Sequence, residues 1–355
     1  MNIIMVDRIG KIVVETTVRN ILRDIKSSPE RTTRRLVDMG CKLTSGRFQK
    51  MFFEMMRQML SDEDNRYYDL IKDVIYHISI ERMVRYGMNV GYNACTKGAE
   101  RIRKIEHKEG FNIPWSLIDK IDGNTFEENY DVYERKILEG RELGIFMYQI
   151  LVDTDIAQVL PLVEEFDDCA FLIYCTPDQI TEEVLEFAAN NYQLAIAVVT
   201  DENFDSDQLH RVCQQMRTRQ LIYGFCYVYS EDEYDSIVDG DITSDLIEFH
   251  PCSIIFRQGT DVREETQKKI YAQILAERNK PHYPVIPMEF TGDNRFFNSM
   301  ITENVQIGYA KLDGTIHFLD GREINVDNLL NTPLEDTLKS ISDDKAMVTN
   351  SVYNL

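Results

Sequence analysis

No cysteine in this sequence has a neighbour at the spacing a metal cluster needs. The seven that occur, Cys41, Cys95, Cys169, Cys175, Cys213, Cys226 and Cys252, form no CxxC pair. An odd, scattered set speaks against a disulfide framework, and iron–sulfur or zinc spacing is missing throughout. No apolar run reaches the length of a membrane span, and the first residues lack a signal-peptide core, so a cytoplasmic location is expected. Phosphate-cradling glycine motifs, a GxSxG elbow and paired histidines are also missing, which removes nucleotide-binding loops, the α/β-hydrolase serine and zincin chemistry. Cys169, Cys175, Cys226 and Cys252 fall within or beside apolar strands, where thiols act as small core side chains.

What is present is a folded, acidic chain. The 355 residues are 43% hydrophobic, with 18 Tyr and 17 Phe, enough for a large core. The net charge of −21 is unevenly spread. Residues 1–110 carry 21 Lys/Arg against 15 Asp/Glu; residues 111–355 carry 18 against 45. A domain at −27 repels phosphate backbones, so no nucleic-acid partner is expected. The basic excess lies in the first fifty residues, 11 against 5. It either meets an anionic surface or complements the chain's own acidic part.

The apolar pattern divides the chain in two. Val6, Ile9, Val13, Val18, Ile21, Leu22 and Ile25 recur at helical spacing, which predicts an amphipathic helix over 2–26 that docks on a core or meets a membrane surface or partner helix. Helical patterns continue over 34–39, 48–60, 64–77 and 81–108, and Gly110 closes the last. From 111 onward, apolar runs at 115–121, 145–151, 170–174, 194–199, 221–229, 253–256 and 285–290 alternate with amphipathic stretches at 130–142, 156–166, 181–190, 207–217 and 261–278. That alternation predicts βα units and a parallel sheet, either a partial barrel or an open doubly wound sheet. Tyr309–Phe318 reads as a hairpin around Asp313-Gly314. The acidic stretch from Thr337, with 341–355 as its tail, is expected to be loosely ordered.

The segments Phe111–Ile118, Glu139–Tyr148 and Asp168–Thr176, with Asn89–Ala94 ahead of them, resemble radical S-adenosylmethionine (SAM) enzymes carrying a SPASM-like auxiliary region. The resemblance spans roughly residues 80–340. It implies an α/β fold: a partial, TIM-like (β/α) barrel over 111–300, an α-helical domain over 1–110 and a C-terminal hairpin region over 301–340. The resemblance fails at the cofactor positions. Where the family carries CxxxCxxC after its first strand, this chain has the shorter Asp119–Asn124, without cysteine. The family's GGEP-type motif is replaced by Leu151–Asp155, its Thr-Asn-Gly by Thr176-Pro177-Asp178, and its auxiliary cysteines by Met300 and Leu319. Arg257-Gln258-Gly259 partly keeps a glycine loop. These losses imply neither an iron–sulfur cluster nor bound SAM, and without a cluster no deoxyadenosyl radical forms.

Side chains expected at the strand ends include Asp119, Asp122, Tyr148, Asp153, Thr176, Asp201, Tyr227, Tyr229, Arg257 and Glu289. A ligand pocket is drawn from Asp119, Tyr148, Asp153, Thr176, Tyr227, Arg257 and Glu289, with no catalytic or metal-ligating residue assigned. The carboxylates could serve a divalent cation or acid–base work, or be solvated loop residues; Arg257 could clamp an anion or pair with one of those acids. The expectation is a catalytically inactive radical SAM-like pseudoenzyme acting as a binding, scaffold or regulatory subunit. Its partner would be a protein such as an active radical SAM paralogue, or a second copy. The alternative is a non-radical enzyme or small-molecule sensor using the barrel mouth.

Overall fold

The computed structural model describes residues 3–43, 46–62, 64–121, 123–153, 155–302, 308–310, 315–318, 323–325 and 331–343. The chain begins with helices α1 (Ile3–Leu22), α2 (Pro29–Leu43), α3 (Arg47–Met59), α4 (Tyr67–His77) and α5 (Ile80–Gly87). A π-helix, Met88–Gly98, then leads into α6 (Ala99–Glu109). The C-terminal end of α1 docks: Leu22, with Ile25 beyond it, is buried among Ile75, Val84 and Met88. Gly110 ends α6 in the left-handed region at φ 77°, a conformation only glycine adopts freely.

The sequence pattern over 81–108 predicts one continuous α-helix, and the wide π turn is a departure. Its cause lies in two asparagines. Asn89 Nδ2 donates to the carbonyls of Asp167 (2.9 Å) and Cys169 (2.6 Å), and Asn93 Nδ2 donates to that of Asp168 (2.7 Å). Widening the helix lets both side chains satisfy the carbonyls that lead into the third strand.

Seven parallel strands follow: β1 (Ser116–Ile121), β2 (Met147–Val152), β3 (Ala170–Cys175), β4 (Leu194–Thr200), β5 (Ile222–Tyr229), β6 (Ser253–Gln258) and β7 (Ile286–Glu289). Each pairs with its sequence neighbour, in the order 1-2-3-4-5-6-7. A doubly wound sheet reverses its strand order partway and this one does not, so the architecture is a partial (β/α) barrel. The connecting helices are α7 (Gly123–Phe126), α8 (Tyr130–Leu143), α9 (Leu160–Glu165), α10 (Glu182–Asn190), α11 (Ser206–Thr218), α12 (Tyr234–Val238), α13 (Asp241–Leu246) and α14 (Glu264–Asn279). Short 3₁₀ turns such as Ile156–Val159 supplement them.

After β7 the chain enters α15 (Phe290–Ile301), which the sequence pattern does not predict. Strands β8 (Gly308–Ala310) and β9 (Thr315–Phe318) form the expected antiparallel pair, and β10 (Glu323–Asn325) extends it; the Asp313-Gly314 turn lies outside the described residues. β8 pairs parallel to β1, so the hairpin adds to the sheet. Helix α16 (Leu334–Asp343) covers Thr337–Asp343, expected to be loosely ordered. It is anchored: the Leu334 N–H donates to Glu139 Oε2 (2.6 Å), and Ser342 Oγ accepts from the Asn112 N–H (3.0 Å). Residues 344–355 lie outside the described residues.

Strand side chains alternate between two layers. One set, including Ile121, Tyr148, Ile150, Phe171, Ile173, Val198, Phe225 and Phe256, meets the helices in the main core. The other, Ile118, Tyr174, Ala197, Cys226 and Ile255, forms a second cluster inside the curl of the sheet.

Candidate functional site at the barrel mouth

The strand register fixes which side chains face the interior. Lys120 pairs with Leu151, Leu151 with Tyr174, Tyr174 with Ala197, and Ala197 with Gly224. Cys226 in turn pairs with Ile255, and Ile255 with Met288. Two residues beyond these positions, the same face reaches Asp153, Thr176, Val228 and Arg257 at the C-terminal ends of the strands.

Three of the seven expected pocket residues therefore reach the mouth: Asp153, Thr176 and Arg257. The other four face the helices, because each stands one residue out of phase with the interior set. Asp119 is buried and accepts from Lys136 Nζ of α8 at 2.6 Å. Tyr148 lies near the start of β2, 1% exposed, and its hydroxyl donates to the carbonyls of Ile145 (3.1 Å) and Ile137 (3.2 Å). Tyr227, also buried, donates to Glu233. Glu289 is fully enclosed, accepting from Gln267 Nε2 of α14 (2.6 Å) and from the Gly292 N–H as cap of α15. Burial pushes its carboxyl up to about 7. Both tyrosines are inaccessible because of the face they occupy. Asp119 and Glu289 are likewise enclosed, unlike the solvated acids that composition suggests. Of the other strand-end residues, exposed Asp201 accepts from the Asn203 N–H, Tyr229 is buried in the helix layer, and Asp122 lies outside the described residues.

At the mouth itself, Asp153 and Thr176 are exposed, and the Thr176 N–H donates to Gln179 Oε1 (2.8 Å) in a capping box. Arg257 is half-buried, and among the described residues no carboxylate or other acceptor lies within bonding reach of it. Among the described residues Arg257 thus pairs with none of Asp119, Asp153 and Glu289: Asp119 is taken by Lys136 and Glu289 faces away. The Tyr174 phenol, raised well above its ordinary value by burial, lies close enough to Arg257 for the guanidinium to oppose that rise. Gly259, in the loop after β6, has a structural duty. Its N–H donates to the Tyr229 carbonyl at 2.8 Å, and a Cβ there would stand 2.9 Å from that oxygen.

Below the mouth, α15 fills the interior. Phe290 meets Tyr174 edge-on at 5.8 Å, Asn294 Oδ1 accepts from Gln149 Nε2 (2.6 Å), and Gln149 Oε1 accepts from the Tyr174 hydroxyl (2.8 Å). Further down, Asn298 Oδ1 accepts from the Trp115 N–H just before β1 (3.1 Å). The helix thus crosses the interior from the end of β7 to the start of β1. The signal for it was Gln149, a polar side chain amid the apolar run of β2, and the i,i+4 pair Asn294 and Asn298.

These residues do not fit an iron–sulfur cluster. β1 ends at Ile121 and α7 begins at Gly123, so the loop that would present thiolates is a single residue. The cysteines sit elsewhere: Cys169, Cys175 and Cys226 are at most 1% exposed, and Cys95 and Cys213 are buried in helices. Burial pushes Cys95, Cys175, Cys213 and Cys252 up to about 12 and Cys226 up to about 11, which keeps them as thiols. Among the described residues no three His, Cys, Asp or Glu side chains converge on a metal position, and no helix is long and apolar enough to cross a membrane.

No protein-family model matches the chain, and no curated protein sequence does. Among solved structures, similar backbones are those of SuiB from Streptococcus suis. With S-adenosylmethionine bound, SuiB is 12% identical over 69% of this chain and 67% of its own, at a TM-score of 0.49. Bound to the precursor peptide SuiA it is 13% identical over 69% and 68%, again at 0.49; a further SuiB structure gives 13%, 69% and 69%, at 0.48. The likeness concerns backbone arrangement and places no ligand or residue role on this chain.

Proposed function

We propose that this protein is a catalytically inactive, radical SAM-like pseudoenzyme that acts by binding, as a scaffold or regulatory subunit for a protein partner such as an active radical SAM paralogue. One observation carries the reading: the chain passes from β1 to α7 across a single residue, leaving no loop to present thiolates at the mouth. In this reading the chain holds neither a cluster nor SAM. The filled interior supports a protein whose fold is kept while the chemistry is not. Affinity purification of the tagged protein from its host, followed by mass spectrometry, tests the partner. A defined protein at stoichiometric ratio is expected; a partnerless protein that turns over a small molecule contradicts the reading.

Arg257 favours a second reading, a sensor for a small carboxylate or phosphate at the mouth, because a half-buried guanidinium with no acceptor among the described residues is an open anion site. Calorimetric titration with small carboxylates and phosphates separates the two. Binding that Arg257→Ala abolishes supports the sensor, and no heat with either protein leaves the scaffold reading standing.

A further inference from the structure

The helical domain carries a cleft of about 1220 Å³ between α1 and α2, remote in sequence from the barrel. It is lined by the apolar Val13, Ile21 and Met39 and by the cations Arg31, Arg35 and Lys42. Two other lining charges are already engaged: Arg34 donates to the Tyr68 hydroxyl (2.6 Å), and Glu30 pairs with Lys72 (3.0 Å). Arg31, Arg35 and Lys42 are exposed and have no carboxylate within reach among the described residues. Val13 is 57% exposed and its neighbour Ile12 55%, so apolar surface stands open beside these cations. A cleft of this size exceeds what one small ligand fills, and its mixed lining suits protein. Asp38 and Asp64 also line it, which confines its positive charge to the Arg31, Arg35 and Lys42 side.

A complementary surface lies on the same chain. Around α8 and α9, Glu127, Glu128, Asp131, Glu164 and Glu165 are exposed. The neighbouring Glu165 carboxyl, with Asp131 beyond it, raises the Glu134 carboxyl above its ordinary value. Carboxyls crowded in this way carry repulsion that a facing cation relieves. We propose that the α1–α2 cleft docks the α8–α9 acidic ridge of a second copy of this chain. The inference goes beyond the scaffold reading and does not depend on it, since an active enzyme could assemble in the same way.

The test is a charge swap on the full-length protein, read by analytical ultracentrifugation at low and at physiological salt. Wild type is expected to associate, more tightly at low salt where screening is weak. The cleft variant R31E/R35E/K42E and the ridge variant D131K/E134K/E165K should each be monomeric, with association weakened roughly a hundredfold or more. Their equimolar mixture should associate again, since each reversed surface meets its reversed complement. Unchanged melting curves for both variants exclude misfolding as the cause of monomerisation. A wild type that stays monomeric at low salt, variants that associate as wild type does, or a mixture that stays monomeric overturns the proposal. So does a monomer whose cleft instead binds phosphatidylserine vesicles or duplex DNA.

Discussion

Arg278 and Asp293 meet in a two-point ion pair, Nη1 to Oδ1 at 2.8 Å and Nη2 to Oδ2 at 2.6 Å, with the carboxylate side chain 2% exposed. The same guanidinium donates twice to the Pro287 carbonyl, so α14, β7 and α15 are joined at one point. Truncating one partner leaves the other charge buried and unpaired. Arg278→Met or Asp293→Leu alone is expected to cost about 3–5 kcal/mol, whereas the double replacement Arg278→Met with Asp293→Leu costs less than either single change. Urea denaturation of the three variants checks the ordering.

Glu289 gives the fold a pH dependence near neutrality. Its carboxyl, raised by burial to about 7, is protonated in the folded protein where an unfolded glutamate is already ionised. The stability it contributes is therefore fully present below about pH 4 and is lost as pH rises through about 7. Its size is on the order of 3 kcal/mol. Glu289→Gln keeps an acceptor for the Gly292 N–H and should flatten the dependence between pH 5 and 8, raising the melting temperature at pH 8. Melting curves across that range decide it; an unchanged slope in the variant contradicts the assignment.

Gly98 and Gly144 let α8 and the π-helix touch backbone to backbone. Gly144 sits at φ 106°, and a Cβ on it would stand 2.6 Å from the Gly98 carbonyl oxygen. Gly144→Ala combines left-handed strain with that clash and is expected to lose at least ~2 kcal/mol. Gly91→Ala is the control: nothing lies within 4 Å of its added methyl, so it should be neutral or gain up to ~1 kcal/mol. Thermal unfolding of both proteins measures the contrast.

Much of the fold was legible because buried parallel strands read as continuous apolar runs. Each of β1 to β7 lies within two residues of an expected run. The face of each strand residue was less legible. A fully buried strand has no polar side to mark its phase, so Tyr148 and Tyr227 were placed at the mouth although they face helices. α15 escaped because Asn294, Asn298 and Asp293 break its apolar pattern, and their partners Gln149, Trp115 and Arg278 are distant in sequence. The π-helix was hidden likewise, its asparagines serving carbonyls about 80 residues away.

The measurement that bears most directly on the central claim is anaerobic reconstitution of the purified protein with iron and sulfide, followed by metal analysis, visible spectroscopy and incubation with SAM and a reductant. With one residue between β1 and α7, and with Cys95, Cys169, Cys175, Cys213 and Cys226 buried, no stoichiometric iron, no cluster absorption and no 5′-deoxyadenosine are expected. A cluster bound at unit stoichiometry, or SAM cleaved to the deoxynucleoside, would contradict the central claim.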